Sequence, residues 1–131
     1  MNKSHMTYTD LLGRPFSMGG RGPDEFDCYG LVKFLIERDT GHSVPDYVTP
    51  AAMGAVHALM IVSREFWTRL PGPKVGSMVF FRLGRQVCHV GYVISHTLFI
   101  HAWEKSGGVT IERLAAWEKR IDGFYEYTEK A

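Results

Sequence analysis

The stretch Phe26-Asp27-Cys28-Tyr29-Gly30-Leu31-Val32 decides the fold prediction because it opens the clearest helical pattern in the chain. Cys28 and four aliphatic residues recur at spacings of three and four, which is typical of the buried stripe of an amphipathic helix. The four are Leu31, Val32, Leu35 and Ile36. Asp24 or Asp27 can cap this helix, and Gly41 can end it. The sequence therefore predicts a helix that begins with a cysteine.

A cysteine at the start of a helix is well placed to act as a nucleophile. The first backbone N–H groups of a helix lack intrahelical partners, and the helix dipole is positive at that end. Both effects favour the thiolate over the thiol. We therefore expect the Cys28 thiol to ionise more readily than an ordinary cysteine, and a catalytic role would also need a base nearby.

The bulk composition is that of an ordinary globular domain. The chain has 131 residues, of which 45% are hydrophobic and 22% are charged, so one domain can bury a core without disulfides or metals. A formal charge of +1 gives no field that would attract nucleic acid or a membrane surface. Two cysteines are too few for a disulfide framework, although one Cys28–Cys88 bridge stays open.

The chain ends and the apolar runs carry no targeting signal. Residues 55–62 form one of the longest apolar runs, but it is too short and too polar to cross a bilayer. Residues 1–10 lack the apolar core of a secretory signal, so a protein that acts outside the cell would need another component to deliver it. We read residues 1–6 as a leader or a remnant of cloning, and 7–131 as a single domain.

The remaining patterns place helices before strands. A short helical turn is predicted at 9–12, and a second helix at about 50–67 with Pro50 at its start. Strand patterns cover 75–83, 87–94, 97–103, 109–112 and 123–127, and a short helical pattern covers 114–118. This order predicts an α+β fold, with N-terminal helices packed on one face of a mostly antiparallel sheet.

Two histidines, His89 and His101, fall inside predicted strands and are the candidate partners of Cys28. In an antiparallel hairpin, the two residue numbers of every directly opposed pair add up to the same total. A three-residue loop at Ile94-Ser95-His96 would pair 93 with 97, 91 with 99 and 89 with 101, so the two imidazoles would share a face. A two-residue loop would put them on opposite faces.

The same register places other residues near the candidate site. Gly91 would share the histidine face and leave room for a close approach, for which we consider the helix that bears Cys28. Cys88 would point to the other face. Cys28, His89 and His101 provide only three metal ligands, and no Cys-x-x-Cys or His-Glu-x-x-His motif is present. The sequence therefore favours a catalytic set without a metal or another cofactor.

Five segments resemble the NlpC-type cell-wall peptidase family in their order and spacing, over about residues 8 to 127. The segments are 12–20, 26–32, 76–81, 89–94 and 99–102. The resemblance implies a papain-like cysteine peptidase that hydrolyses peptidoglycan stem peptides, commonly between D-glutamate and the diamino acid. It also implies that Cys28 is the nucleophile, His89 the base and His101 the third polar residue.

The resemblance places Phe16, Asp27 and Tyr29 on the substrate side. Phe16 stands where the family often has tyrosine, and Tyr29 where it often has serine. This chain retains the aspartate that the family has before the cysteine, and the resemblance implies that Asp27 binds a substrate ammonium group. These departures bear on the substrate preference rather than on the chemistry at Cys28.

Two alternatives to a peptidase stay open. The lead-in at residues 22–26 resembles phage and prophage tail versions of the family, which suggests tail proteins as partners and a structural component with weak or no activity. Acyl transfer or amide hydrolysis could use the same residues. The three tryptophans, Trp67, Trp103 and Trp117, fit either a glycopeptide groove or core packing.

Overall fold

The computed structural model describes residues 8–46, 66–84 and 86–128, and in this part of the chain one α-helix packs against a six-stranded antiparallel sheet. This confirms the predicted α+β fold. Helix α1 spans Cys28–Thr40. The strands are β1 Trp67–Leu70, β2 Met78–Leu83, β3 Gln86–Val93, β4 Leu98–Trp103, β5 Gly108–Arg113 and β6 Ile121–Tyr127. Short 3₁₀ helices lie at Thr9–Leu11, Glu104–Ser106 and Leu114–Arg120. The suggested leader at 1–6 lies outside the described residues.

Helix α1 has the caps that the sequence predicts. The Asp27 side chain accepts a hydrogen bond from the Gly30 N–H at 2.7 Å. Gly41 ends the helix in the left-handed region at φ 79°. A Cβ atom on Gly30 would lie 1.9 Å from the Gly20 carbonyl oxygen, so only glycine lets the helix approach the preceding loop this closely. The four aliphatic residues of the predicted stripe are buried, which confirms the helical periodicity.

The strands are ordered β1-β6-β2-β3-β4-β5 in the sheet. The meander from β2 to β5 confirms the predicted order of strands, while β6 returns to the free side of β2 and β1 pairs with β6. The end of the predicted second helix is wrong, because Trp67 begins β1 opposite Tyr127. The rest of that prediction, at 50–65, lies outside the described residues. No helix within the described ranges is long and apolar enough to cross a membrane.

Both faces of the sheet carry buried side chains on strands β2 to β4. Helix α1 covers one face, formed by Met78, Phe80, Val90, Tyr92, Ile100 and Ala102. The 3₁₀ helix Leu114–Arg120 covers the other face, formed by Val79, Phe81, Val93 and Phe99. The rings of His89 and His101 contact Phe81 and Phe99 of this second face, so the histidines lie on the side of the sheet opposite α1.

The predicted register of the histidine hairpin is wrong by two positions. The pairs are Tyr92 with Ile100 and Val93 with Phe99, and the loop is shifted to 95–97. The shift has a local cause, because the Ser95 hydroxyl oxygen accepts hydrogen bonds from the N–H groups of residues 97 and 98 and so starts the turn at Ser95. A shift of two keeps the side-chain parity, and the two histidines therefore still share a face.

Gly91 allows a close approach, but not by the helix. A Cβ atom at this position would lie 2.8 Å from the Phe99 ring and 3.4 Å from the His101 Cβ. The approach therefore comes from β4, on the histidine face, and the expectation that α1 uses this space is wrong. The predicted orientation of the Cys88 side chain lies outside what the structure describes.

Candidate active site

The core of the site is a buried histidine pair. Nε2 of His89 lies 2.7 Å from Nδ1 of His101, and Nε2 of His101 lies 2.8 Å from a carboxylate oxygen of Glu112. His89 is 3% exposed and His101 is fully buried. The second Glu112 oxygen accepts a hydrogen bond from the Trp117 indole N–H at 3.0 Å. The structure therefore brings two of the predicted site residues together and adds two more.

Burial keeps both imidazoles neutral. Burial lowers the pKa of His89 to about 3, with a further contribution from His101. Burial also lowers the pKa of His101, although the hydrogen bond and charge of Glu112 oppose this. Burial opposes ionisation of Glu112, but the hydrogen bonds from Trp117 and His101 hold the pKa of that carboxyl below its usual value. Near neutral pH the group is thus one carboxylate with two neutral imidazoles.

The ionised carboxylate determines where the imidazole protons lie. A carboxylate only accepts hydrogen bonds, so Nε2 of His101 must carry a proton and Nδ1 of this neutral ring must be an acceptor. Nε2 of His89 then donates to that acceptor. Nδ1 of His89 is left with its lone pair, which is the form that a general base requires.

Aromatic rings enclose the pair on the histidine face. The Trp117 ring centroid lies 5.3 Å from that of His101, and the Trp103 centroid lies 5.8 Å from it. Trp117 is buried and Trp103 is half-buried. Trp67 is buried on the other face. Two of the three tryptophans are thus core residues, and Trp103 is the one that keeps an exposed part beside the site.

Cys28 reaches strand β3 from the helix side, next to His89. Its sulfur is hydrogen-bonded by the backbone N–H of Val90 and lies close to the backbone N–H groups of Tyr29 and Cys28 itself. Successive N–H groups of a strand point alternately to its two neighbouring strands. The Val93 N–H donates to the backbone oxygen of Ser77 on the β2 side, so the Val90 N–H, three residues earlier, points to the β4 side. The Cys28 sulfur therefore meets β3 on the side towards β4, the strand that carries His101. Cys28 does not form a disulfide.

The expectation of an easily ionised thiol is wrong. Burial raises the pKa of Cys28 to about 12, and the neighbouring Asp27 carboxylate raises it further, while the three backbone N–H groups lower it. The residue that caps the helix thus opposes the benefit of the helix start. The resting site holds a thiol and neutral imidazoles.

The three residues predicted on the substrate side have partners within the protein. Both oxygens of Asp27 are bound by Arg21, at 2.9 and 3.0 Å, in addition to its cap and loop contacts. Tyr29 is buried, and its hydroxyl donates to the Pro45 oxygen at 2.6 Å. Phe16 is half-buried against the core. A contact between these residues and a substrate stays a prediction.

Sequence reasoning missed Glu112 and Trp117 as parts of the site. Glu112 lies in a predicted strand, but its proximity to His101 depends on the β4–β5 register, in which Phe99 pairs with Glu112 and His101 with Thr110. An acidic residue in the strand after a buried histidine was the available signal. Across the described ranges, no group of three or more histidine, cysteine or acidic side chains is arranged to hold a metal ion.

An antiparallel sheet with an α-helix on one face, a cysteine as the first residue of that helix and a buried histidine pair on β3 and β4 define an α+β domain with a candidate cysteine–histidine site. Within this class, the chain belongs to the NlpC/P60 family, whose profile matches residues 13–126. The match covers most of the chain, including the helix, the sheet and the whole candidate site.

Relatives and solved structures agree with this assignment. The chain is 32% identical over 115 residues to a "Probable endopeptidase p60" of Listeria innocua, covering 86% of this chain and 22% of that protein. It is 30% identical over 118 residues to the "Murein DD-endopeptidase MepS/Murein LD-carboxypeptidase" of Escherichia coli, covering 88% and 56%. The crystal structure of the NlpC/p60 domain of peptidoglycan hydrolase SagA superposes with a TM-score of 0.64 at 19% identity, covering 95% and 97%. The chain thus spans about a fifth of the Listeria protein and about half of the Escherichia coli protein.

Proposed function

We propose that this chain is a cysteine peptidase that hydrolyses peptidoglycan stem peptides, with Cys28 as nucleophile and His89 as base. The observation that carries the proposal is the position of Cys28, whose sulfur is hydrogen-bonded by the backbone N–H of the residue that follows His89. The His89–His101 bond uses Nε2 of His89 and leaves Nδ1 for the thiol proton.

In the proposed reaction, Nδ1 of His89 removes the thiol proton while the Cys28 sulfur attacks the peptide carbonyl carbon. The Cys28 backbone N–H helps to stabilise the oxyanion. The His89 imidazolium then gives its proton to the leaving amine, which leaves a thioester on Cys28. Water, deprotonated by His89, hydrolyses the thioester and restores the thiol. Since the resting groups are neutral, charge develops only as the sulfur attacks.

The names of the relatives support the choice of substrate. One acts on murein by name, and the SagA domain belongs to a named peptidoglycan hydrolase. We propose the bond between D-glutamate and the diamino acid of the stem peptide, and action at the cell wall. Partners in a phage tail stay a prediction from the resemblance.

The proposal is tested by incubating the protein and its Cys28→Ala variant with purified peptidoglycan and identifying the released fragments by mass spectrometry. We expect the wild type to release stem-peptide fragments and Cys28→Ala to release none. Circular dichroism of both proteins checks that the variant is folded. Fragments released equally by both proteins, or by neither, would refute a Cys28 peptidase. An acyl group transferred to an added amine would indicate acyl transfer instead.

A further inference from the structure

We propose that Glu112 is a positioning residue that sets the tautomer of His89 through His101. This inference rests on the proposed function, in which His89 is the base. Glu112 lies 2.8 Å from Nε2 of His101, and Nδ1 of His101 lies 2.7 Å from Nε2 of His89. The chain of hydrogen bonds thus runs from a carboxylate on the edge strand β5 to the His89 imidazole.

The position of Glu112 is fixed from two sides. Its backbone pairs with Phe99, two residues before His101, so the side chain reaches His101 diagonally across the β4–β5 ladder. The Trp117 indole N–H holds the other carboxylate oxygen at 3.0 Å. The Glu112 side chain keeps 31% of its surface exposed, whereas His101 has none. The carboxylate therefore stays partly hydrated while it directs a proton position inside the core.

Glu112 also compensates the charge that forms on His89. When Cys28 transfers its proton to Nδ1 of His89, the ring becomes an imidazolium that keeps donating from Nε2 to His101. His101 stays neutral and keeps donating from Nε2 to Glu112. One proton moves from sulfur to nitrogen, and no proton needs to reach Glu112. A negative charge two hydrogen bonds away stabilises the new positive charge on the His89 ring, which is only 3% exposed.

Glutamine at position 112 would reverse the tautomers. The Trp117 N–H is only a donor, so it selects the amide oxygen of a glutamine and turns the amide NH₂ towards Nε2 of His101. His101 can accept there only if its proton moves to Nδ1. Nε2 of His89 must then accept, its proton moves to Nδ1, and the lone pair needed for the base is lost. Glu112→Gln therefore keeps the side-chain shape but reverses the direction of the hydrogen bonds from position 112 to His89.

The test compares Glu112→Gln with Glu118→Gln, which removes the same charge at an exposed position of the neighbouring 3₁₀ helix. We expect kcat of Glu112→Gln to fall about 10- to 100-fold, as for other residues that orient a reacting group, with KM unchanged because Glu112 does not touch the substrate. Glu118→Gln should keep the wild-type kcat. Equal kcat values in the wild type and Glu112→Gln would overturn the inference.

Nitrogen-15 NMR of the imidazole rings gives a readout that does not need activity. We expect His89 and His101 of the wild type to carry their protons on Nε2, and both to move to Nδ1 in Glu112→Gln. A wild-type protein with His89 protonated on Nδ1 would overturn the inference even if the variant did not fold. If the wild type cleaves no peptidoglycan but shows the expected tautomers, the proposed function fails while the role of Glu112 stands.

Discussion

Mild acid should destabilise the fold through the histidine pair. His89 and His101 are buried, and burial lowers both pKa values, that of His89 to about 3. In the unfolded chain a histidine has a pKa of about 6.5. As the pH falls below that value, the unfolded chain binds protons that the folded chain does not. Stability is therefore lost as the pH falls, and for His89 the loss continues until the pH reaches about 3.

The magnitude follows from the width of this pH window. At pH 5.5, about one unit below the unfolded pKa, a histidine that stays neutral lowers the free energy of unfolding by about 1.4 kcal/mol. For a chain of 131 residues this corresponds to a melting temperature lower by roughly 5 °C. His101 adds to the loss with the same sign. The lowered pKa values of Glu37 and Glu112 act only at more acidic pH, outside this window.

The assay is urea unfolding at pH 7.5, 6.5 and 5.5 for the wild type, His89→Gln and His96→Gln. His96 lies in the exposed turn and serves as the matched control. We expect the wild type and His96→Gln to lose at least about 1.4 kcal/mol between pH 7.5 and 5.5, and His89→Gln to lose about 1.4 kcal/mol less. The same pH dependence in His89→Gln and the wild type would refute the assignment of His89 as a buried neutral base.

Two further substitutions test how α1 and its first residue are held. Gly30→Ala should lower the free energy of unfolding by about 3 kcal/mol in urea, because the added Cβ would lie 1.9 Å from the Gly20 oxygen. The control Gly72→Ala should cost little, because a Cβ there meets no atom within 4 Å. Equal losses of stability in the two variants would contradict this packing. Asp27→Asn should speed alkylation of Cys28 by iodoacetamide at pH 8, because the Asp27 charge raises the pKa of the thiol. The control Asp24→Asn, at an exposed position, should leave the rate unchanged. An unchanged rate in Asp27→Asn would show that the Asp27 charge does not affect the sulfur.

Local patterns were sufficient to predict the helix and the order of the central strands. Asp27, Gly41 and the aliphatic stripe of α1 are local signals, and the structure uses each of them. The histidine register was missed because the Ser95 side chain starts the turn one residue later than the strand pattern suggests. A side-chain hydrogen bond of this kind leaves no trace in the hydrophobic periodicity.

The face of the sheet that carries the histidines could not be predicted for a different reason. Residues 78–81 are all buried, so β2 shows no alternation that would tell the helix side from the other side. The sequence therefore fixes that His89 and His101 share a face without fixing which face that is. The contact of Glu112 with His101 is a further non-local feature, because it depends on the β4–β5 register.

The separation of Cys28 and the histidines onto opposite faces explains how the proposed base can stay neutral in water. The rings of Trp103, Trp117 and Phe81 cover the histidine face, and this burial holds the pKa of His89 far below neutrality. Cys28 approaches from the other face, where the Val90 N–H is hydrogen-bonded to its sulfur at the side of β3 that points to β4. In the proposed reaction, His89 therefore exchanges protons on the side that Cys28 approaches, and the apolar cover shields the ring from solvent on the histidine face.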